Sequence, residues 1–292
     1  MSKGSAIGVL IPIGGNEDKG GSKDELHSLD FIEEGILSQV VDQAGGVDAK
    51  IVVLPAASSI PEEVGQNYLE AFAKLGCTNV HVLQILKRAD SETKEAIEMI
   101  STADALMFSG GDQSKIIKKI AGTEIHRIMT SRHQNEKFLI AGTSAGAMCM
   151  SQEMIKGGTH IDSFRKGTVL MGKGMEFMPS LIIDSHFIRR GRFGRLTEAV
   201  ARFPNLIGIG LGEDTGLIIR NDNEFEVIGS GMVIVFDSRN LTHNNQSILR
   251  EGTPMTITNM TTHVLSNGDK FEIESRTIRV MPMDPEFDSI EE

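Results

Sequence analysis

Cysteine is scarce. Cys77 and Cys149 are the only two in 292 residues, which excludes a disulfide framework and points to a reducing compartment, so a cytoplasmic location is expected. No C-x-x-C and no His/Cys set with zinc spacing occurs, so no metal and no other cofactor is expected. Excess positive charge is missing too. Lys and Arg number 29 against 40 Asp and Glu, a formal net charge of −11, which argues against a nucleic-acid polyanion as the main partner. Long apolar runs are lacking. The run within "MSKGSAIGVLIPIGG" is broken by Pro12 and ends at Gly14-Gly15, too short for a membrane span and without a small-residue cleavage site. It reads as a first strand, and no membrane association is expected. The phosphate-cradling patterns G-x-x-x-x-G-K-[ST] and G-x-G-x-x-G are both absent, which leaves a nucleotide-binding module unsupported.

What is present alternates. "AIGVLIPIGG", "AKIVVLPAAS", "NVHVLQI", "DALMFSGGDQ" and "KFLIAGTSAGAMCM" are apolar runs that read as strands, several of them leading into glycine loops. Between them lie segments of helical spacing: "SLDFIEEGILSQVVDQAGG" with Phe31, Ile32, Ile36 and Val40 on one face, "PEEVGQNYLEAFAKLGC" opening on Pro61, "SETKEAIEMISTA" with a capping pattern at Ser91, and one continuous helical stretch "SKIIKKIAGTEIHRIMTSRHQNE". Such alternation predicts an α/β fold with a doubly wound, mostly parallel sheet. Residues 216–280 change character, with alternating runs separated by "RNDNE" and "SNGD". They predict antiparallel hairpins. No Pro- or Ser-rich linker and no internal repeat divides the chain, so 1–292 reads as one α/β domain with a β-rich extension over 216–280.

Residues 142–146, "GTSAG", match the G-x-S-x-G turn in which a serine stands at a sharp strand-to-helix bend. Large side chains two positions away would collide there, which accounts for Gly142 and Gly146. The N–H of Ala145, opening the helix, is placed to donate to an oxyanion. Cys149, five residues beyond Ser144, reads as a buried thiol. A serine needs a base. Of eight histidines, His27, His81, His126, His133, His160, His243 and His263 fall in polar, helical or strand contexts, whereas His186 ends the apolar run "SLIIDSHF". Strand C-terminal ends are where open α/β sheets bind ligands. For the orienting acid, "LIGIGLGEDTGLII" offers Glu213 and Asp214, of which Asp214 reads as a turn former.

The segments "GGNEDK" (14–19), "FSGGDQ" (108–113), "AGTSAGAM" (141–148), "DSHFIRRGRFGRL" (184–196) and "GLGEDTGL" (210–217) together resemble the cyanophycinases, a serine peptidase family that also holds aspartyl dipeptidases of peptidase E type. The resemblance covers about residues 7–280. It implies a fold like the class I glutamine amidotransferases, with Ser144 as nucleophile, His186 as base, Glu213 as its partner, and Gly111 with Ala145 as oxyanion donors. The implied substrate is cyanophycin, a poly-aspartate whose side-chain carboxyls carry arginine, cut to β-aspartyl-arginine dipeptides. The alternative is a peptidase acting only on short aspartyl peptides. Each cyanophycin repeat presents a guanidinium, for which Asp184 is a candidate acceptor, and a carboxylate, for which Arg190, Arg192 and Arg195 are candidate donors. Gln113 is a further candidate pocket residue. Ser185 stands where the family usually has glutamine, so any direct amide contact there is lost or shortened. Edge-forming C-terminal strands suggest a homodimer.

Overall fold

The computed structural model describes residues 5–21, 27–159 and 164–281; His160 lies outside them. The first half of the chain alternates as its sequence predicts: β1 (Val9–Ile13), α1 (Ile36–Ala44), β2 (Ile51–Leu54), α2 (Pro61–Lys74), β3 (Val80–Val82), α3 (Lys94–Thr102), β4 (Ala105–Phe108), α4 (Gln113–Ile120), α5 (Glu124–Asn135), β5 (Leu139–Thr143) and the single turn α6 (Ala145–Met148). There follow β6 (Glu153–Gly158), β7 (Val169–Lys173), β8 (Leu181–Asp184), α7 (Phe193–Arg202), β9 (Ile207–Leu211), β10 (Thr215–Arg220), β11 (Glu224–Gly229), β12 (Val233–Asp237), β13 (His243–Asn244), β14 (Ile257–Thr258), β15 (Thr261–Leu265), β16 (Lys270–Glu272) and β17 (Ile278–Arg279).

Three local expectations shift. The helix expected from Phe31 starts only at Ile36, because residues 31–34 form turns, and it ends at Gly45 with φ 112°, a left-handed cap that glycine adopts without penalty. The cap of α3 is Thr93, whose hydroxyl accepts from Ala96 N; Ser91 lies in a 3-10 turn before it and donates to the Lys119 carbonyl. The stretch expected as one helix is two, α4 and α5, broken around Gly122 with φ 71°.

Nine strands form one sheet in the order β17-β16-β11-β10-β1-β5-β4-β2-β3. The five strands from β1 to β3 are parallel; the other four add on antiparallel, beginning with β10 beside β1. The parallel strands are apolar throughout because both faces are covered. Leu10, Val52, Leu54, Leu106, Phe108 and Ile140 face α3, α4 and α5, while Ile11, Ile13, Val53, Met107 and Ala141 face α1 and α2. β8, β9, β12 and β15 make a second sheet, in which β8 and β9 are parallel. Much of the β-rich segment therefore does not stand apart: β10, β11, β16 and β17 widen the large sheet, and β12 and β15 complete the smaller one. Among the described residues no helix is long and apolar enough to cross a membrane.

Candidate active site

Loops from both sheets meet at the C-terminal ends of β1, β4 and β5 and of β8 and β9. After β5 the chain turns at Ser144, whose φ is 52° and ψ −108°. A positive φ on a non-glycine residue costs energy and persists only where its surroundings enforce it. Here the enforcement is steric. A Cβ on Gly142 would lie 2.7 Å from the Gly146 backbone, and one on Gly146 would lie 2.6 Å from the Phe108 carbonyl oxygen. The two glycines let the turn fold back on itself and on β4.

His186 follows β8, also at positive φ, 48°. Its Nδ1 lies 3.0 Å from Glu213 Oε1, just beyond β9. Phe187 anchors this loop from behind: its N–H donates to Leu211 O, and its ring fills the space a Cβ on Gly210 would take. Burial pushes the His186 imidazole down, its hydrogen bond to Glu213 pulls it up, and Arg190 and Arg192 push it down again; the net position is below the ordinary imidazole value. A neutral imidazole is thereby favoured near neutral pH. The Ser144 hydroxyl sits 3.5 Å from Ser185 Oγ, and no Ser144–His186 hydrogen bond forms among the described residues. Asp214 has φ 43° and uses its Oδ1 to accept from Asp18 N, so it acts in the turn, while Glu213 faces the imidazole.

Gly110 brings the loop after β4 against the serine: a Cβ there would be 3.5 Å from Ser144 Cβ. The next residue, Gly111, has φ 141°, and a Cβ on it would strike the Ala57 carbonyl oxygen at 2.3 Å. Neither the Gly111 nor the Ala145 N–H has an intramolecular acceptor among the described residues, which leaves both able to meet an oxyanion.

The arginine segment divides. Asp184 is fully buried and both its oxygens are taken: Arg195 binds it through Nε (2.6 Å) and Nη2, and Arg192 Nη1 reaches it at 3.1 Å while also donating to the Ser185 carbonyl at 2.6 Å. In the sequence reading Asp184 faces a substrate guanidinium and Arg192 and Arg195 face a substrate carboxylate; in the fold these three satisfy one another, since a buried carboxylate demands charged donors. Arg190 is exposed; its backbone N–H donates to the His186 carbonyl, and its guanidinium has no hydrogen-bonding or ion-pair partner among the described residues. Gln113 spends its amide donors on the Ile155 and Lys156 carbonyls of β6. Ser185 is buried and donates to Met148 Sδ at 3.3 Å. Cys149 is fully buried, and burial pushes its thiol far above the ordinary range.

The loop 14–19, for which composition suggests no role, ties the three turns together. Ser144 N donates to Ile13 O (2.8 Å), His186 N to Gly14 O (2.9 Å) and Asp214 N to Gly15 O (2.8 Å). Three successive carbonyls, from the end of β1 into the loop, thus pin three non-glycine residues of positive φ at the site. Gly15 also lies flat on the imidazole, since a Cβ there would be 2.2 Å from His186 Cε1. The paired glycines at a strand end were the available signal.

A profile described as Peptidase family S51 matches residues 27–227. The chain belongs to this family. Curated family relatives include a cyanophycinase of Trichormus variabilis, 33% identical over 89% of this chain and 85% of the relative, one of Geminocystis herdmanii, 32% identical over 86% and 91%, and one of Synechococcus elongatus, 31% identical over 93% and 81%. Among solved structures the fold is similar to a peptidase from an acI-B1 Actinobacterium, at TM-score 0.66 and 19% identity over 92% of this chain and 98% of that one. A putative peptidase E protein of Listeria monocytogenes reaches 0.50 at 16% identity over 77% and 98%. Membership of family S51 makes the chain a hydrolase acting on peptide bonds, in a mixed α/β fold with the parallel core expected from its sequence.

Proposed function

We propose that this chain is a serine exopeptidase that degrades cyanophycin to β-aspartyl-arginine dipeptides. The observation that carries the catalytic part is the convergence of the strained Ser144 turn with the His186–Glu213 pair at one set of strand ends. The curated cyanophycinases, similar over most of their own length, support the substrate. Ser144 Oγ attacks the scissile carbonyl carbon while His186 Nε2 takes its proton, the serine–imidazole bond forming in the substrate complex. Glu213 holds the imidazole tautomer through Nδ1. The oxyanion meets the Gly111 and Ala145 N–H groups. His186 then returns the proton to the leaving amine, and water releases the acyl group by the same steps in reverse order. Exposed Arg190 is the donor offered to a substrate carboxylate; Asp184, Arg192 and Arg195 shape the loop that presents it. The strands of 216–280 widen the sheets that carry the site, which supports reading 1–292 as one peptidase domain. A cytoplasmic homodimer completes the proposal.

Mass spectrometry of products from purified cyanophycin tests the reading, with β-aspartyl-arginine as the expected product. Ser144→Ala should stay folded and lose about 10⁴-fold or more in kcat. Cleavage confined to short aspartyl peptides would replace this reading with the peptidase E-like one.

A further inference from the structure

Glu17 is the most deeply buried carboxylate of the loop after β1, and the mechanism above makes no use of it. Its side chain is 1% exposed. Oε2 accepts from Thr143 Oγ1 at 2.6 Å; Oε1 accepts from Tyr68 Oη of α2 at 2.5 Å and from Lys19 Nζ at 2.6 Å. The ammonium lies 4.9 Å from the centre of the Tyr68 ring. Lys74 of α2 ties down the same loop by donating to the Lys19 and Gly20 carbonyls. Three donors, one of them charged, converge on one buried carboxylate, a costly arrangement to maintain unless fully satisfied.

Thr143 is the residue immediately before Ser144. It faces α1 and α2, in line with Leu139 and Ala141. The serine after it must reverse direction at φ 52°. We propose that Glu17 is a positioning residue: by gripping Thr143 it holds the last residue of β5 still while the next one bends, and so keeps the Ser144 hydroxyl aimed at its reaction partner. The carbonyls of Ile13, Gly14 and Gly15, which bind the Ser144, His186 and Asp214 amides, extend the same clamp to the other two turns. Burial pushes the Glu17 carboxyl up, but Lys19 and the bonds from Lys19, Thr143 and Tyr68 outweigh it, and the net position is below the ordinary carboxylate value. The acceptor stays charged, which keeps the grip strong.

The inference rests on Ser144 being the nucleophile, and a serine-reactive fluorophosphonate separates the two claims. Thr143→Val keeps the shape of the side chain and removes the hydroxyl. At full stoichiometric labelling, its labelling rate and its kcat should fall together by about 10- to 100-fold, with KM within about twofold, because misaiming a reacting atom slows chemistry more than binding. Thr143→Ser restores the hydroxyl and should recover most of the loss. Glu17→Gln should show the same split between kcat and KM, since an amide cannot accept at both ends. Should Glu17→Gln not fold, Thr143→Val and Thr143→Ser decide the matter. Labelling of the wild type at Ser144 with unchanged Thr143→Val kinetics per labelled site overturns this inference alone, as does a loss accounted for entirely by unlabelled protein. Labelling elsewhere than Ser144 overturns the catalytic reading and this inference with it.

Discussion

Two imidazoles flank β1, one near each end, and each lies against a glycine and a carboxylate. At the start of the strand, a Cβ on Gly8 would be 2.6 Å from His133 Nδ1, and His133 Nε2 is 3.1 Å from Asp222 Oδ1. Past its end, Gly15 covers His186, and His186 Nδ1 is 3.0 Å from Glu213 Oε1. The pair distances are alike and the surroundings are not. His133 sits inside α5, 1% exposed, its Nδ1 without a hydrogen-bond partner among the described residues. His186 sits in a strained loop, beside another strained loop that carries a serine, under two cations. A histidine–carboxylate contact is therefore no mark of a reaction centre. Its place at the C-terminal ends of parallel strands, where turns from distant segments converge, is what supports the catalytic reading of the second pair.

Removing the acid of each pair breaks the comparison most sharply. Glu213→Gln leaves the imidazole free to take the wrong tautomer and should lower kcat by about 10³–10⁴ in steady-state assays. Asp214→Asn, next to it, should cost far less, because an amide oxygen can still accept from Asp18 N. If Asp214→Asn proved the more damaging, the orienting acid would have to be reassigned. The matching change at the other end, Asp222→Ala, should leave kcat and KM at wild-type values. It strands a buried ring nitrogen, which costs about 1–3 kcal/mol, and the loss should appear in thermal or urea unfolding. A catalytic defect in Asp222→Ala at intact stability would make the two ends equivalent after all.

How far the two ends could be told apart from sequence depends on range. The Ser144 turn was legible because its requirements are local: two glycines and a small residue within five positions. His186 and Glu213 were legible as polar residues closing apolar runs. The partners of buried charges were not. Glu17 meets Thr143 across 126 positions of sequence, and nothing in "NEDK" says which strand end it will reach. Asp184 and Arg195 stand near each other in sequence, yet whether they serve a ligand or each other turns on burial, which "DSHFIRRGRFGR" alone does not reveal. The C-terminal strands were visible as alternating runs, but alternation does not say which sheet a strand joins. β10 pairs with β1 over some 200 residues of separation, whereas β12 joins β9 in the smaller sheet. The extent of α1 was missed for a related reason: the apolar spacing of Phe31 and Ile32 continues that of the helix, although Phe31 only packs against the same core and Ile32 is exposed.

The smallest effect concerns charge near the second imidazole. Burial is the main reason the His186 imidazole sits below its ordinary value, Glu213 opposes it, and Arg190 and Arg192 reinforce it. Activity that needs the neutral base is lost as pH falls through the imidazole pKa, so the acid limb of the kcat/KM profile should lie below the ordinary imidazole range. Arg192 is locked onto Asp184 and Ser185, but Arg190 is free to be changed without exposing a buried partner. Arg190→Ala removes one repulsive cation. The imidazolium becomes easier to form, and the acid limb should move to higher pH. Arg190→Lys restores the cation without the planar fork; it should return the limb towards its wild-type position while leaving kcat/KM on cyanophycin below wild type. Added salt should shrink the difference between wild type and Arg190→Ala, because an exposed charge is screened. A limb that stays in place in Arg190→Ala at low salt would mean that burial and Glu213 alone set the base, and the arginine would then act on substrate only.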